Sequence, residues 1–537
     1  MAHANVDVAD HVHRRRWWAL AVLSMSLVMI VMDNTILNVA LPHLSESLQA
    51  TTSQLQWIVD AYTIVFAGLL LTLGAFGDRV GRRRALVGGL VVFATGSFAA
   101  TFATTATWLI VTRGLMGVGG ALIMPSTLSI LANVFRDPRE RAKAISVWSA
   151  ASGVGIVIGP LLGGFLLNHF AWSSVFWVNV PVALLMLGAT LLIVPESKAA
   201  DAPRTDVPGV LLSTGGIVAM LWGIIQAPEH GWTNPSILAA FATSIAAIAG
   251  FVAWELHTPK PMLDVRFFRN ARFSAANGAV TLAMFGMFGS LFLLSQFLQF
   301  VQGHDALQAG LRMTPFAVGI ATGAPLGNLL DRRIGTKYTV TLGLAVTAIG
   351  LYSFTGLQSS SSFAPLLISI LIMSIGMGTV FGPATESVMG SLPPERAGVG
   401  SAINDTTREL GGALGVAVIG SAMSSVYGHQ VVSALAGAAL PGPAREAVQR
   451  SLAGGLGVAR QIGGDLGAQI ASVTREAFVS GMHRGVIIGS VAVLVGAISA
   501  LVFLPARAHA AAEVRVITPG SAMSETGSDE RPVGLTA

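Results

Sequence analysis

Three charged residues lie inside long apolar stretches of the sequence. Asp33 is about sixteen residues into a stretch that begins at Trp17, and Asp60 and Arg113 interrupt two later stretches. A charged side chain at the centre of a bilayer costs roughly 2.5–3.5 kcal/mol on insertion scales, so such residues face a polar interior and pair with one another. A carboxylate that is held out of water beside a cation can bind and release a proton as its surroundings change. These residue types therefore indicate proton binding and recognition of cations.

Asp33 and Arg113 are the candidates for proton coupling. The guanidinium of Arg113 is permanently charged and needs partners inside an apolar stretch. We expect Arg113 to approach Asp33 and to modulate its affinity for a proton. The alternative is that Asp33 makes a fixed hydrogen bond, for example to Asn34 or Asn38.

Asp60 has two interpretations, because it lies only about six residues into its apolar stretch. It is either a charged helix end in water or a counter-charge for a cationic substrate. Trp57 and Tyr62 would add aromatic faces suited to cation–π contact. They are five residues apart and so do not share a helix face, which means that only one of them can line a cavity beside Asp60. Asp33 and Asn38 complete the set of expected substrate-binding residues.

A later charge cluster, Asp405, Arg408 and Glu409, also has two interpretations. Asp405 is spaced at i+3 and i+4 from the other two, which favours a local charge cluster on one helix face. The apolar part that follows, Leu410 to Val426, is short for a membrane span. The cluster should then enter the membrane, and Glu409 would be a second acidic site for a proton or a substrate.

The elements that must position these residues are membrane-spanning helices. The chain of 537 residues is 53% hydrophobic and 11% charged, whereas soluble domains carry about 25% charged residues. Apolar stretches of about twenty residues recur along it, as spanning helices require. We predict an all-α membrane protein with fourteen spans, near 17–40, 55–76, 84–104, 107–131, 143–167, 173–194, 208–227, 236–256, 274–299, 309–330, 336–357, 363–389, 401–427 and 484–506.

Basic residues alternate between the connections and so predict the orientation. Every second connection carries Lys or Arg, in the order Arg14–Arg16, Arg79 with Arg82–Arg84, Arg136 to Lys143, Lys198 with Arg204, Lys260 to Arg272, Arg332 to Lys337, and Arg396. The short loops 41–54, 168–172, 228–235, 300–308 and 358–362 carry none. By the positive-inside rule both termini are cytoplasmic.

The predicted organisation is a parallel repeat. A loop with Gly74, Gly77, Asp78, Arg79, Gly81 and Arg82 follows the second span, and a degenerate copy with Gly327, Asp331 and Arg332 follows the tenth. Two parallel six-helix halves with two inserted helices account for this offset. The predicted parts are a cytoplasmic tail (1–16), the first bundle (17–195), the inserted pair (208–257), the second bundle (274–506) with an external helical hairpin (428–483), and a disordered cytoplasmic tail (507–537).

The loop residues have a mechanical interpretation. The glycines allow tight turns, and Asp78 can pair with the neighbouring arginines. Such pairing would latch the halves in one orientation and open in the other. We therefore expect Gly74, Gly77, Asp78, Arg79, Gly81, Arg82, Asp331 and Arg332 to form a conformational latch, while the arginines also set the topology.

The sequence resembles the major facilitator superfamily, in particular its fourteen-span drug:proton antiporter branch, which includes the QacA- and EmrB-like multidrug pumps. The resemblance is carried by Asp33–Pro42, by the loop 74–84, by Arg113 with Gly117, Gly119 and Gly120, and by Trp172–Pro181. Gly155, Gly159, Pro160, Gly163 and Gly164 are similar to the motif that marks exporters. The stretch Trp57–Tyr62 resembles pumps for quaternary ammonium compounds and dyes.

This resemblance implies a proton-driven exporter of lipophilic, cationic drugs or dyes in the bacterial inner membrane. We expect a monomer with no cofactor, no metal and no nucleic-acid partner. No lysine follows a glycine, so a Gly-Lys phosphate loop for ATP is excluded, and without cysteine thiolate chemistry is excluded. The alternatives are an exporter of an endogenous lipid, peptide or metabolite on the same fold, a solute importer, or a passive channel. A membrane enzyme is disfavoured because no nucleophile–base or metal constellation occurs.

Overall fold

A computed structural model describes residues 2–135, 137–198, 206–259, 261, 263–392, 397–436 and 440–506. The regular structure of these residues is helical. The first group comprises α1 (Ala2–Leu48), α2 (Thr52–Val80), α3 (Arg82–Ala100), α4 (Ala106–Val134), α5 (Pro138–His169), α6 (Ser174–Trp177) and α7 (Asn179–Ile193). The inserted pair is α8 (Val207–His230) and α9 (Pro235–His257). The second group comprises α10 (Ala271–Gln296), α11 (Ala306–Met313), α12 (Pro315–Ile334), α13 (Thr336–Ser353), α14 (Phe363–Met389), α15 (Ala397–Ala434), α16 (Gly442–Arg450), α17 (Leu452–Ile462) and α18 (Gly464–Phe503).

Within the described residues, twelve helical segments are long and apolar enough to cross a membrane. The two remaining predicted spans correspond to α3 and α12, which are helices of 19 and 20 residues. Their mean hydropathy is lower because α3 begins with three arginines and α12 ends with Asp331, Arg332 and Arg333. The protein is therefore a multi-pass membrane protein with twelve clear candidate spans.

The helices pack as two repeated bundles. In the first group, α1 packs on α5, α2 packs on α4, and α3 packs on both α4 and α7. In the second group the corresponding pairs recur, because α10 packs on α15, α12 on α14, and α13 on both α14 and α18. The inserted helices pack on each other, and α8 also contacts α2 of the first bundle and α15 of the second.

Several predicted boundaries differ from the structure. Helix α1 begins at Ala2, whereas the candidate membrane span within it begins at Arg16. The predicted span 173–194 is divided into α6 and α7, and the predicted span 309–330 is divided into α11 and α12. The predicted disordered tail 507–537 lies outside the described residues, as do Arg136, Arg204, Lys260 and Arg396.

The predicted external hairpin 428–483 has a different construction. Helix α15 continues to Ala434 and α18 begins at Gly464, so both spans project well past their predicted ends. The short helices α16 and α17 lie between them and pack on each other. Tyr427 holds this arrangement, since its hydroxyl donates to the carbonyl oxygens of Val448 at 2.8 Å and Ser451 at 3.0 Å.

The two bundles contact each other at one end of the molecule. We call the end with the connections 79–84, 137–143 and 331–337 the basic end, and the end with 49–51, 168–173 and 302–305 the opposite end. Polar contacts between the bundles lie toward the opposite end: Asn168 to Asp305 (3.1 Å), Arg460 to Glu46 (2.7 Å), Thr52 to Arg450 O (3.2 Å), Gln56 to Ala417 O (3.0 Å), Gln299 to Val39 O (2.9 Å), and Ser295 to Asn38 O. The bundles are therefore closed against each other there.

Candidate functional site

Asp33 of α1 and Arg113 of α4 form a buried ion pair. The Nη1 atom of Arg113 lies 2.5 Å from Oδ2 of Asp33, and both side chains are 0% exposed. The second carboxylate oxygen of Asp33 accepts a hydrogen bond from Nδ2 of Asn179 at 2.7 Å. Asn179 also donates to Ser97, whose hydroxyl donates to the carbonyl oxygen of Phe176. Four helices thus supply one continuous polar network inside an apolar bundle.

The other nitrogen atoms and the flat face of the Arg113 guanidinium group also have partners. Its Nε donates to the carbonyl oxygen of Ile58 at 3.2 Å, and its Nη2 lies 3.4 Å from Oδ1 of Asn34. Its Cζ atom lies 4.5 Å from the centre of the Tyr62 ring, in cation–π geometry. A buried guanidinium with these partners can keep its charge while Asp33 gains or loses a proton.

Glycines of α4 bring α2 close enough for this network. A Cβ on Gly117 would lie 2.6 Å from the carbonyl oxygen of Tyr62, and one on Gly120 would lie 2.7 Å from the Tyr62 hydroxyl. Only a residue without a side chain permits so close an approach. The motif of Arg113 and its glycines therefore packs α4 on α2 and aims the guanidinium at α1.

Asn179 and Ser97 are site residues that the sequence analysis did not single out. Both are neutral, so their burial in an apolar stretch gives a weaker signal than a buried charge. Asn179 lies in the segment Trp172–Pro181, and the resemblance of this segment to a family motif is its only signal in the sequence. It is 0% exposed and lies at the first residue of α7, where the helix start directs its side chain toward α1.

Replacing Asn179 by leucine should lower proton-driven transport by about tenfold, since a hydrogen bond to a charged group contributes roughly 1.5–3 kcal/mol. Initial rates of transport in energised membrane vesicles would measure the effect. The matched control is Thr190→Val on the same helix, because the Thr190 hydroxyl is buried without a hydrogen-bond partner among the described residues. Equal rates for Asn179→Leu and Thr190→Val would contradict a role for Asn179.

Asp60 lies apart from this network. Its side chain is 0% exposed, and neither of its carboxylate oxygens has a hydrogen-bond partner among the described residues. The interpretation of Asp60 as a helix-end charge in water is therefore wrong, because α2 begins eight residues earlier and other helices cover this face. A buried carboxylate without a partner is costly unless a proton or a cation joins it.

Trp57 and Tyr62 point to different surroundings. Trp57 packs on the apolar cluster of Ile64, Leu221 and Ala417, on the face of α2 that carries Asp60. Tyr62 is fully buried on the other face, where it stacks on Phe66 and lies under Arg113. Of the two aromatic residues, Trp57 is the one on the side of Asp60.

Glu409 and Asp405 lie in the first part of the candidate span Ala402–Ala434. Both side chains are partly buried, and the guanidinium carbon of Arg408 lies 5.0 Å from the centre of the Phe381 ring. The second bundle thus carries two carboxylates and a guanidinium group within one of its candidate spans.

Asn38 lies where the two bundles meet. Its Nδ2 donates to the carbonyl oxygen of Asn34 at 3.2 Å, and its Oδ1 is buried without a hydrogen-bond partner among the described residues. Its own carbonyl oxygen accepts a hydrogen bond from Ser295 of α10. This placement makes Asn38 part of the interface that must separate when the bundles move.

The glycines of α5 serve two interfaces. Cβ atoms on Gly155, Gly159 and Gly163 would lie within 3.0 Å of Val31, Thr35 or Ile36 of α1. A Cβ on Gly164 would lie 2.5 Å from the Cα atom of Leu307 in α11 of the second bundle. The motif therefore packs α5 on α1 and also permits the bundles to close.

The predicted latch residues pair within the first bundle. Nε of Arg82 lies 2.6 Å from Oδ1 of Asp78, and Gly81 has a φ of +125°, which favours glycine. Glu196, at the end of α7, accepts from the backbone N–H of Arg83 at 3.0 Å. Gly74 approaches Pro125 and Gly77 approaches Ala85 and Ser126, while Arg79 is exposed. Glu196 was not identified from the sequence because it lies more than a hundred residues from the loop that it holds.

In the second bundle, the aspartate of the loop copy has a carboxylate oxygen without a hydrogen-bond partner among the described residues, whereas Asp78 in the first bundle pairs with Arg82. Gly327 packs on the backbone of Thr379, where a Cβ would lie 2.5 Å from a carbonyl oxygen. The Oδ1 atom of Asp331 is buried and has no hydrogen-bond partner in the part of the chain that the structure describes. Arg332, the next residue, is exposed. Among the described residues, the predicted latch residues of the two bundles make no hydrogen bond or ion pair with each other, and their role as a latch stays a prediction.

Comparison with known proteins identifies related sequences. The sequence pattern of the Major Facilitator Superfamily matches residues 23–416. The chain is 31% identical to the tetracenomycin C resistance and export protein of Streptomyces glaucescens, over 92% of each chain. It is 33% identical to the multidrug efflux pump LfrA of Mycolicibacterium smegmatis, over 90% of this chain and 95% of that one. It is 32% identical to the methyl viologen resistance protein SmvA of Salmonella typhimurium, over 78% and 84% respectively.

Solved structures of similar fold are also known. A bacterial homologue of the human lysosomal transporter Spinster, in an inward-facing and unoccupied conformation, superposes with a TM-score of 0.64 at 17% identity, over 91% of this chain and 98% of that chain. The same homologue in an inward-facing and occupied conformation gives a TM-score of 0.61. At these identities the likeness concerns the fold alone.

Proposed function

The chain belongs to the Major Facilitator Superfamily, and from this premise we propose that it is a proton-coupled efflux antiporter that exports lipophilic, cationic drugs by alternating access. It is a transporter and not an enzyme. Drug efflux is supported by relatives of about 30% identity that are named as efflux, export or resistance proteins. The proposal places the protein in the fourteen-span branch and in the bacterial inner membrane.

The observation that carries the proposal is the buried network of Asp33, Arg113 and Asn179. A membrane protein keeps an ion pair at 0% exposure at a large desolvation cost, which points to function more than to stability. Asp33 can take up a proton when water reaches it from one side and release it when the bundles open to the other. A transmembrane potential of 100 mV supplies about 2.3 kcal/mol for each proton that moves inward.

The proposal includes fourteen crossings and cytoplasmic termini, and the packing of two helices supports the number of crossings. Helices α3 and α12 occupy equivalent positions in the two bundles, so we infer that both cross the bilayer although their hydropathy is lower. The positive-inside rule then makes the basic end cytoplasmic and the opposite end external. With this orientation, the closed contacts at the opposite end support a conformation that faces the cytoplasm, where a drug would be taken up.

Two groups are proposed to recognise a cationic substrate. Glu409 lies in the candidate span of α15 in the second bundle, and Asp60 lies on the face of α2 opposite Tyr62. Asn38 lies where the two bundles meet. It would contribute a polar contact to a substrate that leaves toward the opposite end. The relative that is named for resistance to methyl viologen, a dication, supports cations as substrates.

The test is dye transport in inverted membrane vesicles. Wild-type vesicles should accumulate ethidium when a proton gradient is imposed and lose it when a protonophore is added. Asp60→Asn should reduce ethidium uptake by at least about tenfold and leave a neutral drug largely unaffected, because an unpaired buried acid selects for charge. Asp465→Asn, which changes an exposed carboxylate at the start of α18, is the control. Ethidium uptake that persists after the protonophore would refute proton coupling.

A further inference from the structure

The inserted helix α8 runs along the face of α2 that carries Asp60. Near the opposite end, the Ser53 hydroxyl of α2 donates to Oε1 of Glu229 at 2.7 Å and to the carbonyl oxygen of Ile225 at 3.3 Å. Farther along, Gly68 of α2 approaches Thr214, where a Cβ would lie 2.4 Å from the hydroxyl oxygen. Asp60 lies between these two contacts on α2, so α8 passes beside it.

Apolar side chains follow Asp60 on this face, while Gln56, one turn before it, donates to the carbonyl oxygen of Ala417 at 3.0 Å. Ile64, one helical turn from Asp60, packs in a cluster with Leu221 and Ile225 of α8 and with Ala413 and Ala417 of α15. Leu221 and Ile225 are both 0% exposed, so the junction of the three helices is closed to water and lipid. Both oxygens of Asp60 are buried there, without a hydrogen-bond partner among the described residues.

This surrounding separates Asp60 from the Asp33–Arg113 pair. Arg113 contacts the face of α2 that carries Ile58 and Tyr62, whereas Asp60 shares a face with Trp57 and Ile64. Residues two apart on a helix point in nearly opposite directions. Asp60 therefore has its own site, bounded by α2, α8 and α15.

We propose that α8 forms one wall of a cation site at Asp60, and that Leu221 and Ile225 determine which cations reach this carboxylate. This inference rests on the proposed export function, and it gives the inserted helix α8 a role in the selection of substrates. An organic cation would supply a positive partner for the Asp60 carboxylate, and Trp57 would offer an aromatic face to the same cation. The two aliphatic side chains would limit its bulk, as apolar pocket walls do.

The contacts of α8 explain how the site can open. Helix α2 belongs to the first bundle and α15 to the second, and α8 touches both. When the bundles rock against each other, the contact between α2 and α15 must change while α8 remains beside one of them. Ala413 and Ala417 are small, so their withdrawal opens a narrow space that Leu221 and Ile225 still border.

The first test changes the size of this wall. Leu221→Trp should reduce transport of ethidium and of the bulkier tetraphenylphosphonium by at least about tenfold, while a neutral drug is transported as before. Leu221→Ala should raise the rate for tetraphenylphosphonium relative to ethidium. The control is Leu211→Trp on the outer face of α8, where the side chain is 68% exposed. An equal loss of cationic and neutral transport in Leu221→Trp would overturn the proposal.

The second test does not depend on transport. Because the chain contains no cysteine, Leu221→Cys carries a single thiol, and its reaction with a maleimide can be followed in detergent-solubilised protein. Tetraphenylphosphonium should slow this reaction at least about threefold, and Asp60→Asn should remove the protection. Protection that is equal with and without Asp60, or absent in both, would overturn the cation site. Wild-type vesicles that fail to export would instead refute the proposed function, and the labelling result would remain interpretable.

Discussion

Replacing Arg113 by alanine is expected to abolish proton-driven export while the protein still inserts and folds. The change leaves Asp33 as a buried charge without its cation, which costs roughly 3–5 kcal/mol, or a factor of about 100 or more in an equilibrium. Asp33 would then stay protonated throughout the cycle. Export driven by a pH gradient in vesicles measures the loss, and size-exclusion chromatography of the purified protein checks folding.

The double variant Asp33→Asn with Arg113→Ala separates stability from function. It removes both charges, so its thermal stability should recover toward that of the wild type relative to Arg113→Ala alone. Its proton-driven export should remain absent, because no group at this position can carry the proton. Arg269→Ala, which changes an exposed arginine in a loop, serves as the control. Normal gradient-driven export by either Arg113→Ala or Asp33→Asn would remove the pair from the mechanism.

Placing valine at Gly310 is expected to prevent the bundles from closing at the opposite end. A Cβ at Gly310 of α11 would lie 2.3 Å from the carbonyl oxygen of Pro160 in α5, so the backbones would have to separate. The population that is closed at this end should fall by at least about fivefold, since overpacking costs about 1–3 kcal/mol. Transport should fall with it, because alternating access needs both conformations.

Spin labels can measure this opening directly. Cysteines at Phe170 and Leu311, both exposed and on either side of the contact between α5 and α11, are the only thiols in the labelled protein. The distance between the labels should lengthen in Gly310→Val. Gly153→Val is the matched control, because a Cβ at that position of α5 would meet nothing within 4 Å. An unchanged distance in Gly310→Val would show that the contact does not limit closure.

The sequence predicted the pairing of Asp33 with Arg113, because a charged side chain in an apolar stretch needs a partner of opposite charge. Asp33 and Arg113 each interrupt an apolar stretch, and pairing them is the cheapest way to keep both in the membrane. The loop that recurs after α2 and α12 likewise predicted a repeat, and the helix pairs of the first bundle do recur in the second. Both features can be predicted from the charge, hydropathy and spacing of residues along the sequence.

Features that depend on neighbouring helices were not predictable in the same way. Spacing showed that Trp57 and Tyr62 diverge, but only the position of α4 and α8 decides which of them is on the side of Asp60. Asn179 is a neutral amide and adds no charge pattern that would reveal its bond to Asp33. The lengths of α15 and α18 beyond the predicted spans were missed because apolarity ends before these helices do.

The ion pair also has a consequence for synthesis of the chain. Arg113 follows Asp33 by 80 residues, and Asn179 follows it by 146. At roughly 5–20 residues per second, the ribosome needs about 4–16 s to make Arg113 after it has made Asp33. During that interval α1 must enter the bilayer with its carboxyl group unsatisfied, so the many leucine, isoleucine, valine and methionine residues of this helix also serve to carry Asp33 through insertion alone.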